Sequence, residues 1–320
     1  MGCLLVEEES VEKNIEELEK TIEDISSTDI LENTIRETMP AILDILLIDR
    51  TTSTPKKSKN IIWANENYLQ YGQKSYAATA QMLPSLVTGQ MGQIIMPRAL
   101  KSRELQKERT KSKAEVFTPT WIVKKQNDEV DNDYQNDELE TYVKRKWLEI
   151  TCGEGPYMAT RYDMETGEIV PLDERVGFVD RKLKRINAEV EDKAEWQRLV
   201  EEAYKSSYGF EWSGDSLLLA RENLLYTYRD YYFAKWLEEP LYGLFEDIAK
   251  IISYNIFQMD GLKYIIPLSE KREKVESYQL SLFDYDDEEP AEEWIIKPGK
   301  RVKLMNWETN KMEYFDKGVK

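Results

Sequence analysis

Histidine is absent from all 320 residues, and cysteine occurs only as Cys3 and Cys152. The first absence removes Ser-His-Asp and Cys-His nucleophilic systems and every histidine metal site from the available chemistries. The second leaves no disulfide framework and no metal-binding spacing. Long apolar runs are also missing. The stretch between Ala41 and Ile48 is among the longest, far short of the roughly 20 residues that cross a bilayer. Met1-Gly2-Cys3 is followed by Val6 where a myristoylation signal needs Ser or Thr, and no cationic start precedes an apolar core. A cytoplasmic protein with no membrane partner is expected.

What is present is an ordinary globular balance, 41% apolar and 33% charged, with a net charge of −17. That length suffices for one large core or two smaller ones. An acidic chain is poorly suited to DNA, because phosphate neutralisation supplies most non-specific affinity. The charge is unevenly spread, however. Arg98, Lys101, Arg103, Lys107, Arg109, Lys111 and Lys113 face only Glu104 and Glu108. This stretch is either a solvated helical face or a phosphate-facing element, in which Arg103, Lys107, Arg109 and Lys111 would meet the DNA backbone.

Residues 7–48 carry Ile15, Leu18, Ile22 and Ile25 at helical spacing, which predicts an accessory helical hairpin with Pro40 near the start of its second helix. Residues 51–59 read as a loop, and Ile61-Ile62-Trp63 starts the next packed element. Residues 126–140, rich in Asn and Asp, read as an exposed linker. An α/β pattern follows: a strand at 147–151, a glycine turn, an insert, and a strand near 208–212. Next come a helix from Leu217 to Trp236, a helix from Leu244 to Ile252 and a short strand at 255–257. Such alternation predicts a parallel, doubly wound sheet. Seven carboxylates in 284–293 predict a flexible tether ahead of a C-terminal piece. The expected organisation is an acidic helical region at 1–60, an accessory segment at 61–146, a core at 147–275 with an insert at 158–207, and a tether and tail at 276–320.

Two strings carry chemistry. In Leu148-Glu149-Ile150-Thr151-Cys152-Gly153-Glu154-Gly155-Pro156-Tyr157 an apolar run breaks into a glycine-bracketed turn, which lets backbone approach a small ligand. Upstream stands Ala114-Glu115-Val116-Phe117-Thr118-Pro119. A lone Gly-x-Gly is weak evidence, but the pairing is distinctive. Together the strings resemble the opening motifs of adenine-specific DNA methyltransferases from restriction-modification systems, over roughly residues 40–268.

The resemblance implies an α/β, Rossmann-like core that binds S-adenosylmethionine. Phe117, Thr118 and Pro119 would wrap the methionine end of the cofactor, and Glu149 would face its amino group. Thr151, Cys152, Gly153, Glu154 and Gly155 would form the glycine motif. Glu211, ending the second strand, would accept hydrogen bonds from the ribose, with Trp212 against the adenine and Asp260 contacting it. A competing alignment takes Gly214-Asp215-Ser216-Leu217 as the later acidic motif and leaves Glu211 structural. The family's base-gripping loop, Asn or Asp followed by Pro-Pro and an aromatic residue, has no counterpart. The chain has eleven prolines and no two adjacent; Tyr254-Asn255 lacks the prolines and Pro240-Leu241-Tyr242 lacks the acceptor. A second methyltransferase polypeptide would bring that loop and the target-recognition surface, with DNA as the common partner. The rival expectation is a catalytically inactive relative acting as a regulator, a decoy or a clamp-binding module.

The last string, Gln279-Leu280-Ser281-Leu282-Phe283, resembles the pentapeptide with which bacterial DNA-processing proteins dock on the replication sliding clamp. Gln279 would bond the pocket rim, with Leu280, Leu282 and Phe283 as apolar anchors. The alternative buries these side chains in the protein's own core. The combined Leu282→Ala, Phe283→Ala variant should lose clamp binding of about micromolar strength while its melting temperature stays within about two degrees of the parent. Unfolding of that variant would assign the pentapeptide to the core.

Overall fold

The computed structural model describes residues 39, 41–92, 94–97, 118–274 and 294–317. The expectations for 7–38, for the basic stretch with Arg103, Lys107, Arg109 and Lys111, for Phe117 and for the pentapeptide Gln279–Phe283 lie outside the described residues. Helix α1 (Ile42–Leu47) buries Ile42, Leu43, Leu46 and Leu47 along one stripe, and a single turn, α2 (Pro84–Val87), follows the accessory loops.

The segment expected as an exposed linker is a linker only at 132–138, which turns between two helices with its residues exposed or half-exposed. Helix α3 spans Thr120–Asp131 and α4 spans Leu139–Lys144. Pro119 precedes the first residue of α3, and Val123 and Asn127, four apart, face inward. The carboxylates that made the stretch look solvated have a cation far away in sequence: Arg181 pairs with Asp128 at 2.6 Å and with Asp131 at 3.0 Å. Tyr142 and Val143 of α4 are buried too.

The centre of the molecule is a parallel three-stranded sheet in the order β1 (Trp147–Glu149), β2 (Ser207–Glu211), β3 (Ile256–Gln258). Its register pairs Glu149 with Gly209 and Glu211 with Gln258. Parallel neighbours need a crossover of a dozen or more residues. The stretch 158–207, expected as an insert, supplies it with helices α5 (Phe178–Glu189) and α6 (Lys193–Lys205). Helices α7 (Gly214–Trp236) and α8 (Tyr242–Asn255) make the second crossover. The fold is thus mixed helix and strand, of the α/β kind. Strand β1 ends at Glu149 rather than at Thr151, because Thr151 turns into the left-handed region with φ 46°.

The C-terminal piece is not a free tail. Strands β4 (Lys271–Lys274) and β5 (Trp294–Lys297) form one antiparallel pair, and β6 (Lys303–Asn306) and β7 (Lys311–Tyr314) another. Val302 and Phe315 join Phe210, Phe257, Met259 and Ile266 in a small apolar cluster against β3. Among the described residues no helix is long and apolar enough to cross a membrane.

Helix α7 is buried on every side, with Leu217, Leu218, Leu219 and Ala220 inside the main core and polar Asp215, Glu222 and Asn223 buried beside them. Arg221 is buried with them. Its guanidinium donates to the carbonyls of Ile256 (2.8 Å), Ile48 (3.0 Å), Ser253 (3.4 Å) and Leu46. Burial pulls its pKa down, and the Asp49 carboxylate opposes that shift. Arg221→Leu should destabilise the fold by about 3 kcal/mol or more, since it strands several buried acceptors at once. Chemical denaturation checks this, and a loss below about 1 kcal/mol would show that the carbonyls find other donors.

Candidate functional site

Thr151, Gly153 (φ 55°) and Gly155 (φ 79°) all adopt left-handed backbone, so the loop after β1 coils tightly at the carboxyl end of the sheet. The Cys152 N–H donates to the Phe210 carbonyl at 2.8 Å and stitches the loop to the end of β2. The Gly153 N–H donates to Glu211 Oε2 at 2.9 Å. The Ser213 N–H donates to Glu211 Oε1 at 3.0 Å, so that carboxylate joins the glycine turn to the start of α7. The two glycines differ in use. A Cβ built at Gly155 would meet Met158 Cε at 3.1 Å and Ala220 Cβ at 3.5 Å, whereas one at Gly153 meets no atom within 4 Å. Gly155 serves packing; Gly153 faces open space.

Glu149 lies under this loop. Its Oε2 accepts from the Met158 N–H at 2.9 Å and its Oε1 from the Tyr157 N–H at 3.3 Å. Glu154 is also buried, accepting from the Tyr162 hydroxyl at 2.6 Å. Asn223 of α7 donates its amide to the Glu154 and Ala159 carbonyls at 3.2 and 3.1 Å. The Cys152 thiol is buried, and burial pushes its pKa well up, which leaves it inert.

The described end of the upstream string lies near the loop: Thr118 offsets part of the rise that burial gives the Tyr157 hydroxyl's pKa, and Pro119 precedes α3. Asn127 of that helix donates to the Tyr157 carbonyl at 3.1 Å, and Gln126 is a partner of the Tyr157 hydroxyl. A groove of about 600 Å³ runs alongside, bordered by Asn127, Leu148, Glu149, Ile150 and Tyr157.

Trp212 is partly exposed beyond β2, its indole N–H donating to the Ala64 carbonyl at 2.8 Å. Asp260 follows β3, and its Oδ1 accepts from the Leu262 and Lys263 N–H groups at 2.9 and 3.2 Å, which shapes the turn. Asp215, the alternative acidic residue, accepts from Asn65 Nδ2 at 2.9 Å and from the Tyr68 hydroxyl at 2.7 Å. Asn255, weighed for the base-gripping loop, is committed to structure: its amide donates to the Tyr204, Lys205 and Ser207 carbonyls, and its oxygen accepts from Trp307.

Sequence reasoning missed the part played by residues 61–68. Ile62 and Gln258 exchange two hydrogen bonds, at 3.0 and 2.8 Å. The Gly214 N–H donates to the Trp63 carbonyl at 3.0 Å. A Cβ at Gly214 would lie 2.2 Å from the Ile62 carbonyl oxygen, so this approach requires glycine. The accessory segment thus lines the ends of β2 and β3. The only signal for it was an apolar Ile61-Ile62-Trp63 leading into polar Asn65.

Chemically, the carboxyl end offers a left-handed turn open at Gly153, two carboxylates, Glu149 and Glu211, at the ends of β1 and β2, and one partly exposed indole. Glu211 has its pKa raised by burial. No family model, curated protein or solved structure matches the chain.

Burial pushes the Glu149 carboxyl up to about 8, the Glu211 carboxylate adding to the rise while the Tyr157 and Met158 N–H groups oppose it. The folded chain therefore holds this proton more tightly than the unfolded chain. Glu149 costs stability as pH rises from the ordinary glutamate range towards about 8, and the cost levels off above that. Glu149→Gln, which resembles the protonated form, should lose less stability over that window than the parent in pH-dependent denaturation. Parallel curves would mean that Glu149 ionises equally easily in both states.

Proposed function

We propose that this chain is the S-adenosylmethionine-binding subunit of a split DNA adenine methyltransferase of a restriction-modification system, built on a Rossmann-like methyltransferase core. The observation that carries the reading is the Gly153 N–H to Glu211 carboxylate contact of 2.9 Å. It brings the glycine turn of one parallel strand to the acidic end of the next, where open α/β sheets bind ligands. Thr118, close enough to Tyr157 to lower its pKa, puts the described end of the upstream string near the same place.

The residues fit such a cofactor. The empty space over Gly153 suits a close backbone approach. The Glu211 carboxylate accepts the Gly153 and Ser213 N–H groups, with the Trp212 N–H also directed at it, and a carboxylate has about four acceptor sites, so a ribose hydroxyl can still bond there. Trp212 would pack on the adenine beside Asp260, while Glu149 and the Thr118-Pro119 end of the upstream string would flank the methionine moiety. When bound, S-adenosylmethionine supplies a methyl group already activated by its sulfonium. The chain's own residues orient that group and exclude water; the target base must be gripped elsewhere. With Asn255 used structurally, a second polypeptide carrying the Asn-Pro-Pro-Tyr loop would complete the active site. The basic stretch, with Arg103, Lys107, Arg109 and Lys111, would then meet DNA phosphates, and Gln279–Phe283 the sliding clamp.

Titration calorimetry should find S-adenosylmethionine binding to the isolated chain at about micromolar affinity, without DNA methylation. Gly153→Val should abolish binding, because its branched side chain occupies the open space, at a folding cost of roughly 1 to 2 kcal/mol for left-handed backbone. A folded parent chain that binds no cofactor, alone or with its partner, would sink the reading.

A further inference from the structure

We infer that Gln258 is a positioning residue for the nucleoside end of the ligand, acting through the accessory segment and the indole of Trp212 rather than on the ligand itself. The inference rests on the split-methyltransferase reading and goes further by naming what holds the ring that packs on the adenine. Gln258 ends β3, opposite Glu211 in the sheet register, and its side chain is buried. Its amide is spent on protein backbone. Nε2 donates to the Ile62 and Trp212 carbonyls, both at 2.8 Å, and Oε1 accepts the Ile62 N–H at 3.0 Å. One side chain therefore ties the accessory segment and the Trp212 backbone to the same strand end.

Two residues beyond Ile62 the accessory segment reaches the ring of Trp212. The indole N–H donates to the Ala64 carbonyl at 2.8 Å. Ala64 takes left-handed backbone, φ 53°, although it carries a Cβ, a conformation that its surroundings must impose. They do so on several sides. The Ala64 N–H donates to the Ala78 carbonyl at 2.8 Å, the Trp63 N–H to the Ala80 carbonyl at 3.1 Å, and the Trp63 carbonyl accepts the Gly214 N–H at 3.0 Å.

Trp212 is thus held twice, its backbone by Gln258 and its ring by Ala64, and the second tie depends on the first through Ile62. The side chain nevertheless remains 36% exposed. An indole fixed at its N–H, with part of its surface accessible, is a stacking platform for a planar base that costs little ordering entropy on binding. The accessory segment in this way becomes part of the ligand site through Trp212.

Calorimetry on the full chain reads S-adenosylmethionine affinity in two variants. Gln258→Met keeps roughly the length of the side chain and removes its hydrogen bonds; Trp212→benzothienylalanine keeps the shape of the ring and replaces its N–H by sulfur. Each should weaken binding by about fivefold or more. In a Trp212→Ala background, Gln258→Met should cost less than about twofold, because the ring it holds is gone. Unchanged affinity in both variants overturns the inference, as does an equal loss with and without the ring, which marks general destabilisation. A second readout needs no cofactor. In protein labelled with 5-fluorotryptophan, the Trp212 fluorine resonance, assigned by its loss in Trp212→Phe, should shift or broaden in Gln258→Met, and an unmoved line overturns the inference. Should Gln258→Met fail to fold, the affinity of the benzothienylalanine variant decides. A parent chain that binds no S-adenosylmethionine while the Trp212 line responds rejects the split-methyltransferase reading alone.

Discussion

One buried turn of helix α7, Ala220 to Asn223, holds the structure in register. From it Arg221 reaches carbonyls of α1, of the loop after α1, of α8 and of β3. Two residues on, Asn223 holds the carbonyls of Glu154 and Ala159 in the glycine loop, and Ala220 is the surface on which Gly155 rests. Buried carbonyls without partners are costly, and a guanidinium with five donors can satisfy several of them at once. The accessory segment, the third strand and the candidate ligand loop are therefore positioned by adjacent side chains of a single helix.

This arrangement explains why the loop after β1 keeps its shape. Gly153 and Gly155 take left-handed backbone at no steric cost, but Thr151 carries a Cβ there, and its conformation must be over-determined by its surroundings. The bonds from Cys152 to Phe210, from Gly153 to Glu211 and from Asn223 to Glu154 do this from three directions. Glu149, desolvated beneath, bonds the N–H groups at the loop's far end. A loop so constrained can present Gly153 to a ligand with little ordering cost.

Much of the core was legible because its signals are local. The starts of the first two strands and the long helix after Gly214 follow from apolar runs, glycines and consecutive leucines, whereas the end of β1 at Glu149 rather than Thr151 was set by the left-handed turn. The glycine turn was legible as chemistry, since left-handed positions select glycine. The linker reading of 126–140 holds at 132–138 but not at 126–131, for a non-local reason: Asp128 and Asp131 look solvated until Arg181 arrives from α5. The tail reading failed similarly, because Val302 and Phe315 are isolated apolar residues in a charged stretch and acquire a core only against β3.

By itself, then, the sequence determined the parallel α/β pattern, the place of the glycine turn and the absence of histidine chemistry, because propensity, periodicity and composition act over a few residues. Only the tertiary structure decided which groups meet. It set residues 61–68 across the ends of β2 and β3 through Ile62 and Gln258, turned Asp215 and Asn255 to structural use, and put β2 in the middle of the described sheet, between β1 and β3. These outcomes depend on hydrogen bonds between residues up to about 200 positions apart, and no local pattern encodes a partner at that separation.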